Sequence, residues 1–278
     1  MVDFPIPFEK MSGTGNDFVI IDNRSIRIPL AEQSELARKI CRRMFSIGAD
    51  GLIFIEESTV ADFAWNFYNA DGSLAEMCGN GSRCAARFAY RHGIAGKMMK
   101  FATLAGIIEA EIGEEEAVVR VRMTTPHDFR LGLSLFVGNE ERAVGYVDTG
   151  VPHAVIFVDT DEVPVQTWGQ VVRFHELFAP KGANANFVRA LPGGRLKVRT
   201  YERGVEAETM ACGTGAVASV LFAALQKGLK SPVEVITSGG EKLTISFDLF
   251  DGPEADNVFL QGPTRLVCTG NITAEALL

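Results

Sequence analysis

The chain has 278 residues, 47% of them hydrophobic and 22% charged, with a formal net charge of −8. That length and balance suit one large or two medium folded domains and exclude a disordered chain. An acidic balance also argues against nucleic acid or an anionic membrane as a partner, because phosphate recognition needs a basic patch.

No basic region followed by an apolar run opens the chain as a secretory signal would. The longest nearly apolar stretch, residues 216–225, is too short to span a bilayer. The five cysteines are Cys41, Cys78, Cys84, Cys212 and Cys268. An odd number without a signal argues against a disulfide framework, so a cytoplasmic protein is expected. The histidines (His92, His127, His153, His175) are scattered, and neither a Cys-x-x-Cys nor a His-Glu-x-x-His pair occurs; no metal site is expected.

Taken in chain order, residues 10–22 hold a glycine-rich turn followed by the apolar run Phe18-Val19-Ile20-Ile21, which reads as a buried strand. Residues 31–45 place Leu36, Ile40 and Met44 at helical spacing. Strands are read at 52–55 and 63–68. The sequence Met77-Cys78-Gly79-Asn80-Gly81 then opens a helix over 81–91, and strands follow at 100–102, 107–112 and 118–123. The second half runs through the same series: a helix over 167–178, strands at 187–188 and 196–201, a second Ala211-Cys212-Gly213-Thr214-Gly215, a helix over 215–227, and strands at 233–237, 242–247 and 258–261.

The offset between the halves is nearly constant. It is 212 − 78 = 134 for the cysteines, 182 − 48 = 134 for Gly48-Ala49-Asp50 against Gly182-Ala183-Asn184, and 201 − 68 = 133 for the tyrosines. A fixed offset at several places marks a duplicated domain. The helix after Cys212 is apolar on nearly every side, so it should be buried rather than laid on a surface. The fold expected is α+β: two pseudo-symmetric duplicated domains, each a mostly antiparallel curved sheet or barrel around a central helix, with the active site in the interdomain cleft. Residues 1–130 are read as the N-terminal half, with 265–278 returning to it, and 131–264 as the C-terminal half. The change from one half to the other is placed within 123–145.

A cysteine at the start of a helix meets the positive end of the macrodipole and unbonded N–H groups, which make the thiol more acidic. The same N–H groups bind carboxylates, and the glycines let a ligand approach the backbone. Two such thiols on opposite faces of one carbon suit inversion beside a carboxylate. One thiolate removes the α-proton, and the other thiol delivers one to the far face.

The motifs together resemble the diaminopimelate epimerase family. The resemblance rests on Lys10-Met11-Ser12-Gly13-Thr14-Gly15-Asn16-Asp17-Phe18, Gly48-Ala49-Asp50-Gly51, Asn69-Ala70-Asp71-Gly72-Ser73 and Cys78-Gly79-Asn80-Gly81-Ser82-Arg83-Cys84 in the first half. In the second half it rests on Gly150-Val151-Pro152-His153, Asn184, Tyr201-Glu202-Arg203-Gly204 and Glu208-Thr209 before Cys212-Gly213-Thr214-Gly215. It implies a cofactor-independent epimerase that interconverts LL- and meso-2,6-diaminopimelate on the route to lysine and peptidoglycan. It casts Cys78 and Cys212 as the two acid/bases, and His153 and Glu202 as groups that support the thiols. Gly79, Asn80, Gly213 and Thr214 become the α-carboxylate cradle. Asn16, Asn69, Asn184, Glu202 and Arg203 become contacts to the substrate's amino and carboxylate groups. Val151 stands where many members have Asn, Gly51 where some have Gln, and Cys268 where some have a tyrosine that supports dimers. The partners implied are a small amino-acid substrate and, as an open alternative to a monomer, a second copy of the chain. Two rival readings remain at this level: a related racemase or 4-hydroxyproline epimerase, and a binding module with redox-active or inert cysteines.

Overall fold

The computed structural model describes residues 3–278. It divides into two compact units: the chain up to Val121 together with Gly262–Leu278, and Arg122–Gln261. The first passage between them thus falls at 121/122, ahead of the residue 130 read from the sequence. The region 123–145 forms most of a long hairpin in the second unit.

In the first unit, β1 (Ile6–Gly13), β2 (Asn16–Asp22), α1 (Asn23–Ile26), α2 (Leu30–Ile40), β3 (Gly51–Glu56), β4 (Phe63–Asn69), α3 (Gly79–Arg91), β5 (Met98–Thr103), β6 (Gly106–Ile112) and β7 (Val118–Arg122) follow in order. The second unit contains β8 (His127–Val137), β9 (Glu140–Asp148), β10 (Pro152–Phe157), α4 (Val165–Arg173), β11 (Asn184–Leu191), β12 (Arg195–Glu202), β13 (Ala207–Thr209), α5 (Gly213–Lys227), β14 (Val233–Ile236), β15 (Lys242–Leu249) and β16 (Ala255–Pro263). The chain closes with β17 (Arg265–Ile272), which pairs antiparallel with β1.

The pairings repeat. In unit one, β1–β2, β3–β4, β5–β6 and β6–β7 are antiparallel, while β2–β3 and β4–β5 are parallel. In unit two, β9–β10, β11–β12, β14–β15 and β15–β16 are antiparallel, while β10–β11 and β12–β14 are parallel. The outer strand of each copy is supplied differently. In unit two β8 precedes β9 through a tight hairpin; in unit one the equivalent place beside β1 is taken by β17, from the far end of the chain.

Each sheet curves around one helix. A single helix, α5, packs against β9, β10, β11, β12, β14 and β15, and α3 packs against β1, β2, β3 and β6. No flat sheet could bring so many strands to one helix. Accordingly Ala216, Val217, Ala218, Val220, Leu221 and Phe222 of α5 are all buried, around the whole helix.

Two helices end earlier than their spacing suggests. After α2 the chain folds back so that Gly48 N–H and Ala49 N–H bond the Ile40 and Cys41 carbonyls, at 2.9 and 3.2 Å. That turn caps the helix and leaves Met44, with positive φ, and Phe45 exposed. After α4 the His175 ring accepts Leu177 N–H at 3.2 Å and starts a separate short turn, Glu176–Phe178. Among the described residues no helix is long and apolar enough to cross a membrane.

Candidate active site

In unit one Cys78 is the N-cap of α3, in extended conformation, and its Sγ accepts the Gly81 N–H at 3.5 Å. Gly79 and Asn80 follow as the first helical residues, where no carbonyl of the same helix is within reach of their N–H groups. The Asn80 side chain is buried and its orientation is fixed by its neighbours. The Thr14 hydroxyl donates to Asn80 Oδ1 at 3.0 Å. Arg83, fully buried, donates to the same oxygen at 2.8 Å, to the Gly79 carbonyl at 3.1 Å, and to Thr14 Oγ1. Asn80 Nδ2 is thereby turned to Asn16 Oδ1, at 2.7 Å, and Asn16 Nδ2 to Asp50 Oδ2, at 3.0 Å. A guanidinium at one end and a carboxylate at the other leave each amide one possible orientation. Asn69 stands apart: its amide donates to Ser73 Oγ at 3.0 Å and holds the turn before α3. Gly51 is buried opposite it in the β3–β4 register. A Cβ at Gly51 would lie 2.7 Å from the Tyr68 carbonyl oxygen and press on the Phe67 ring. The glycine there is therefore a packing requirement of this chain.

In unit two Cys212 is the N-cap of α5, again extended, with Sγ 3.4 Å from Thr214 Oγ1. The helix starts correspond at 213 − 79 = 134. Thr149 Oγ1 donates to the Thr214 carbonyl at 3.1 Å, as Thr14 reaches Asn80 in the first copy. Parallel pairing of β10 and β11 sets His153 beside Asn184. Asn184 is buried, donates to the Pro152 carbonyl at 2.9 Å and accepts Arg203 N–H at 2.7 Å. Arg203 Nη1 reaches the Lys181 carbonyl at 3.4 Å. Burial pushes the Glu202 carboxyl above its usual range, with the nearby Thr209 hydroxyl acting in the opposite direction.

His153 is completely buried. Burial, and the positive charge of Arg203, disfavour the imidazolium and bring its pKa down to about 3. The ring is neutral near pH 7. Asn186 Nδ2 lies 3.1 Å from His153 Nδ1, while Nε2 is buried and has no hydrogen-bond partner among the described residues.

The cysteines divide sharply. Cys78 and Cys212 are partly exposed, whereas Cys41 and Cys84 are buried and pushed up to about 12 by burial. Those two are small apolar residues with inert thiols. Cys268 is exposed on β17. Among the described residues no three His, Cys, Asp or Glu side chains gather as a metal site would require.

Within each unit the structure therefore joins most of the residues singled out in the sequence: Cys78, Gly79, Asn80 and Asn16 in one; Cys212, Gly213, Thr214, His153, Asn184 and Arg203 in the other. Sequence reasoning missed the residues that orient them, namely Thr14, Arg83, Thr149 and Asn186, the last with Thr200, whose hydroxyl donates to its Oδ1. The one available signal was a polar residue set between apolar ones in a strand, as Asn186 is between Ala185 and Phe187 in β11.

A family model described as diaminopimelate epimerase matches residues 8–128 and 145–262. A diaminopimelate epimerase of Aquifex aeolicus is 46% identical, with 97% of this chain and 99% of the relative covered. One of Methanothrix thermoacetophila is 42% identical over 98% of both chains. Among solved structures, a phenazine biosynthesis protein of the PhzF family from Bacillus anthracis superposes with a TM-score of 0.73 at 15% identity, covering 98% of this chain and 100% of that one. A hydroxyproline epimerase from Agrobacterium vitis gives 0.67 at 14%, covering 97% and 93%. At such identities these two speak for the fold alone. The duplicated α+β architecture and the two near-full-length relatives agree: the chain belongs to the diaminopimelate epimerase family and is an isomerase of that type.

Proposed function

We propose that the protein interconverts LL-2,6-diaminopimelate and meso-2,6-diaminopimelate by proton transfer between two cysteines, with no cofactor, in the supply of lysine and peptidoglycan precursors in the cytoplasm. The observation that carries this reading is the repeated placement of a partly exposed cysteine as N-cap of a buried helix, once in each unit. The relatives named as diaminopimelate epimerases supply the substrate.

In the reaction proposed, the thiolate of one cysteine takes the α-hydrogen as a proton. The C–H bond breaks, an S–H bond forms, and the electron pair stays on carbon and its carboxylate. The thiol of the other cysteine then gives its proton to the opposite face. The first-turn N–H groups of Gly79 and Asn80, and of Gly213 and Thr214, stabilise the carboxylate as charge moves onto it. Asn16, Asn69, Asn184, Glu202 and Arg203 hold the amino and carboxylate groups, and Arg203 can pair a carboxylate through two parallel bonds. His153, neutral, donates a hydrogen bond, and Glu202 supports the thiol at Cys212.

Incubating the reduced protein with LL-diaminopimelate in D₂O tests the reading. One deuterium should enter the α-carbon of the meso product, and Cys78→Ala and Cys212→Ala should each abolish conversion while leaving the circular dichroism spectrum unchanged. No label from folded, reduced protein would overturn the epimerase reading. Label in proline derivatives alone would assign a different substrate. Full activity in either alanine variant would remove that cysteine from the mechanism.

A further inference from the structure

Asn186 has no part in the contacts proposed above, yet its side chain is completely buried beside them. Its orientation is not free. Nδ2 lies 2.9 Å from the Ala154 carbonyl oxygen, which can only accept a hydrogen bond. Oδ1 therefore faces the other way, where the Thr200 hydroxyl donates to it at 2.9 Å. The same Nδ2 stands 3.1 Å from His153 Nδ1. An amide nitrogen donates and does not accept, so Nδ1 must carry the lone pair. In a neutral imidazole the proton is then on Nε2. Nε2 is buried, and among the described residues nothing accepts its hydrogen. A buried N–H with no acceptor is unfavourable and suits a partner that arrives with the ligand.

Asn186 also sits against the Cys212 helix. A Cβ on Gly215 would collide with Asn186 Oδ1 and stand 3.2 Å from Thr200 Oγ1 and 3.3 Å from Cys212 Sγ. One amide thus touches the histidine on one side and the first turn of α5 on the other.

We propose that Asn186 is a positioning residue that locks His153 in the neutral Nε2–H tautomer, so that the imidazole can only donate a hydrogen bond from Nε2 and cannot take up a thiol's proton there. Its role in turnover rests on the epimerase reading; the tautomer itself does not. Thr200 completes the lock by holding Oδ1. Without that hydroxyl, only the Ala154 carbonyl at Nδ2 sets the amide's orientation, and the lock is weakened.

The test is nitrogen-15 NMR of the histidine side chains in the intact protein, with the four histidines assigned through His153→Gln. His153 should show a protonated Nε2 and an unprotonated Nδ1 near neutral pH. A protonated Nδ1, or an imidazolium, would overturn the proposal. In Asn186→Asp the incoming oxygen accepts from Nδ1–H, so the ring should move to a form protonated at Nδ1. kcat for the D₂O-monitored conversion should fall about 100-fold with KM changed far less. Thr200→Val, the milder change, should give mixed tautomers and a fall of about 10-fold. An Nε2–H ring and full kcat in both variants would refute the lock. Should Asn186→Asp not fold, the wild-type and Thr200→Val spectra decide the matter. A wild-type spectrum of the expected form without deuterium incorporation would leave the tautomer standing and sink the epimerase reading instead.

Discussion

Replacing Gly215 and Gly81 by alanine makes the same change at equivalent places in the two copies, 215 − 81 = 134, and the effects should be opposite. Both are the third residue of a helix headed by a cysteine cap. At Gly81 an added Cβ would meet Ile53 Cδ1 at 3.4 Å, Phe18 Cε1 at 3.5 Å and Cys78 Cβ at 3.6 Å, all ordinary contacts. The helix then gains from alanine's better propensity, by up to about 1 kcal/mol. At Gly215 the Cβ would overlap Asn186 Oδ1, and neither Thr200 nor Cys212 leaves room to the side. Forcing a carbon into packed surroundings costs about 1–3 kcal/mol, and a displaced Asn186 loses its bond from Thr200, about 1 kcal/mol more. Set against the same propensity gain, Gly215→Ala should destabilise by about 2 kcal/mol, and the two variants should differ by about 2–3 kcal/mol. Urea unfolding of both, followed by circular dichroism, measures this through the shift in midpoint at constant slope. Equal midpoints for the two variants would refute the close approach of Asn186 to α5.

Stability should also depend on pH through His153. Its folded pKa of about 3 lies below the unfolded value near 6.5, so between them the unfolded chain binds the extra proton. The associated stability is present above about pH 6.5 and falls as pH drops toward 3, by at most about 1.4 kcal/mol per unit. His153→Gln should remove this component, so the stability difference between variant and wild type should change from pH 7 to pH 5; parallel profiles would count against a buried neutral ring. Brief alkylation of the native, reduced protein should modify Cys268, Cys78 and Cys212 and spare Cys41 and Cys84, as peptide mass spectrometry can read. Early labelling of Cys84 would mean that its buried setting inside α3 is wrong.

How far the site could be read in advance depended on how local each signal was. Cys78 and Cys212 were legible because a helix cap is written within a few residues: cysteine, then Gly-x-Gly, then an apolar helix. The ends of α2 and α4 are not legible because apolar spacing runs on past Ile40 and Arg173, while the turns that stop those helices depend on the N–H groups of Gly48 and Ala49 reaching back to the Ile40 and Cys41 carbonyls and on Leu177 N–H reaching back to the His175 ring. Arg83 stood inside a recognised motif, but its three acceptors lie on α3 and on the β1–β2 turn. No spacing rule joins position 83 to position 14.

The sequence by itself determined the duplication, the two cysteine caps and the buried central helices, since a constant offset and helical or strand periodicity are properties of the chain read along its length. Only the tertiary structure decided that β17 takes the outer place in the first copy that β8 takes in the second. It alone decided that Gly215 yields space to Asn186 while Gly81 yields to nothing comparable, and which nitrogen of His153 bears the proton. Those outcomes turn on pairings between residues far apart in the chain, where a few ångströms fix which atom donates and which accepts.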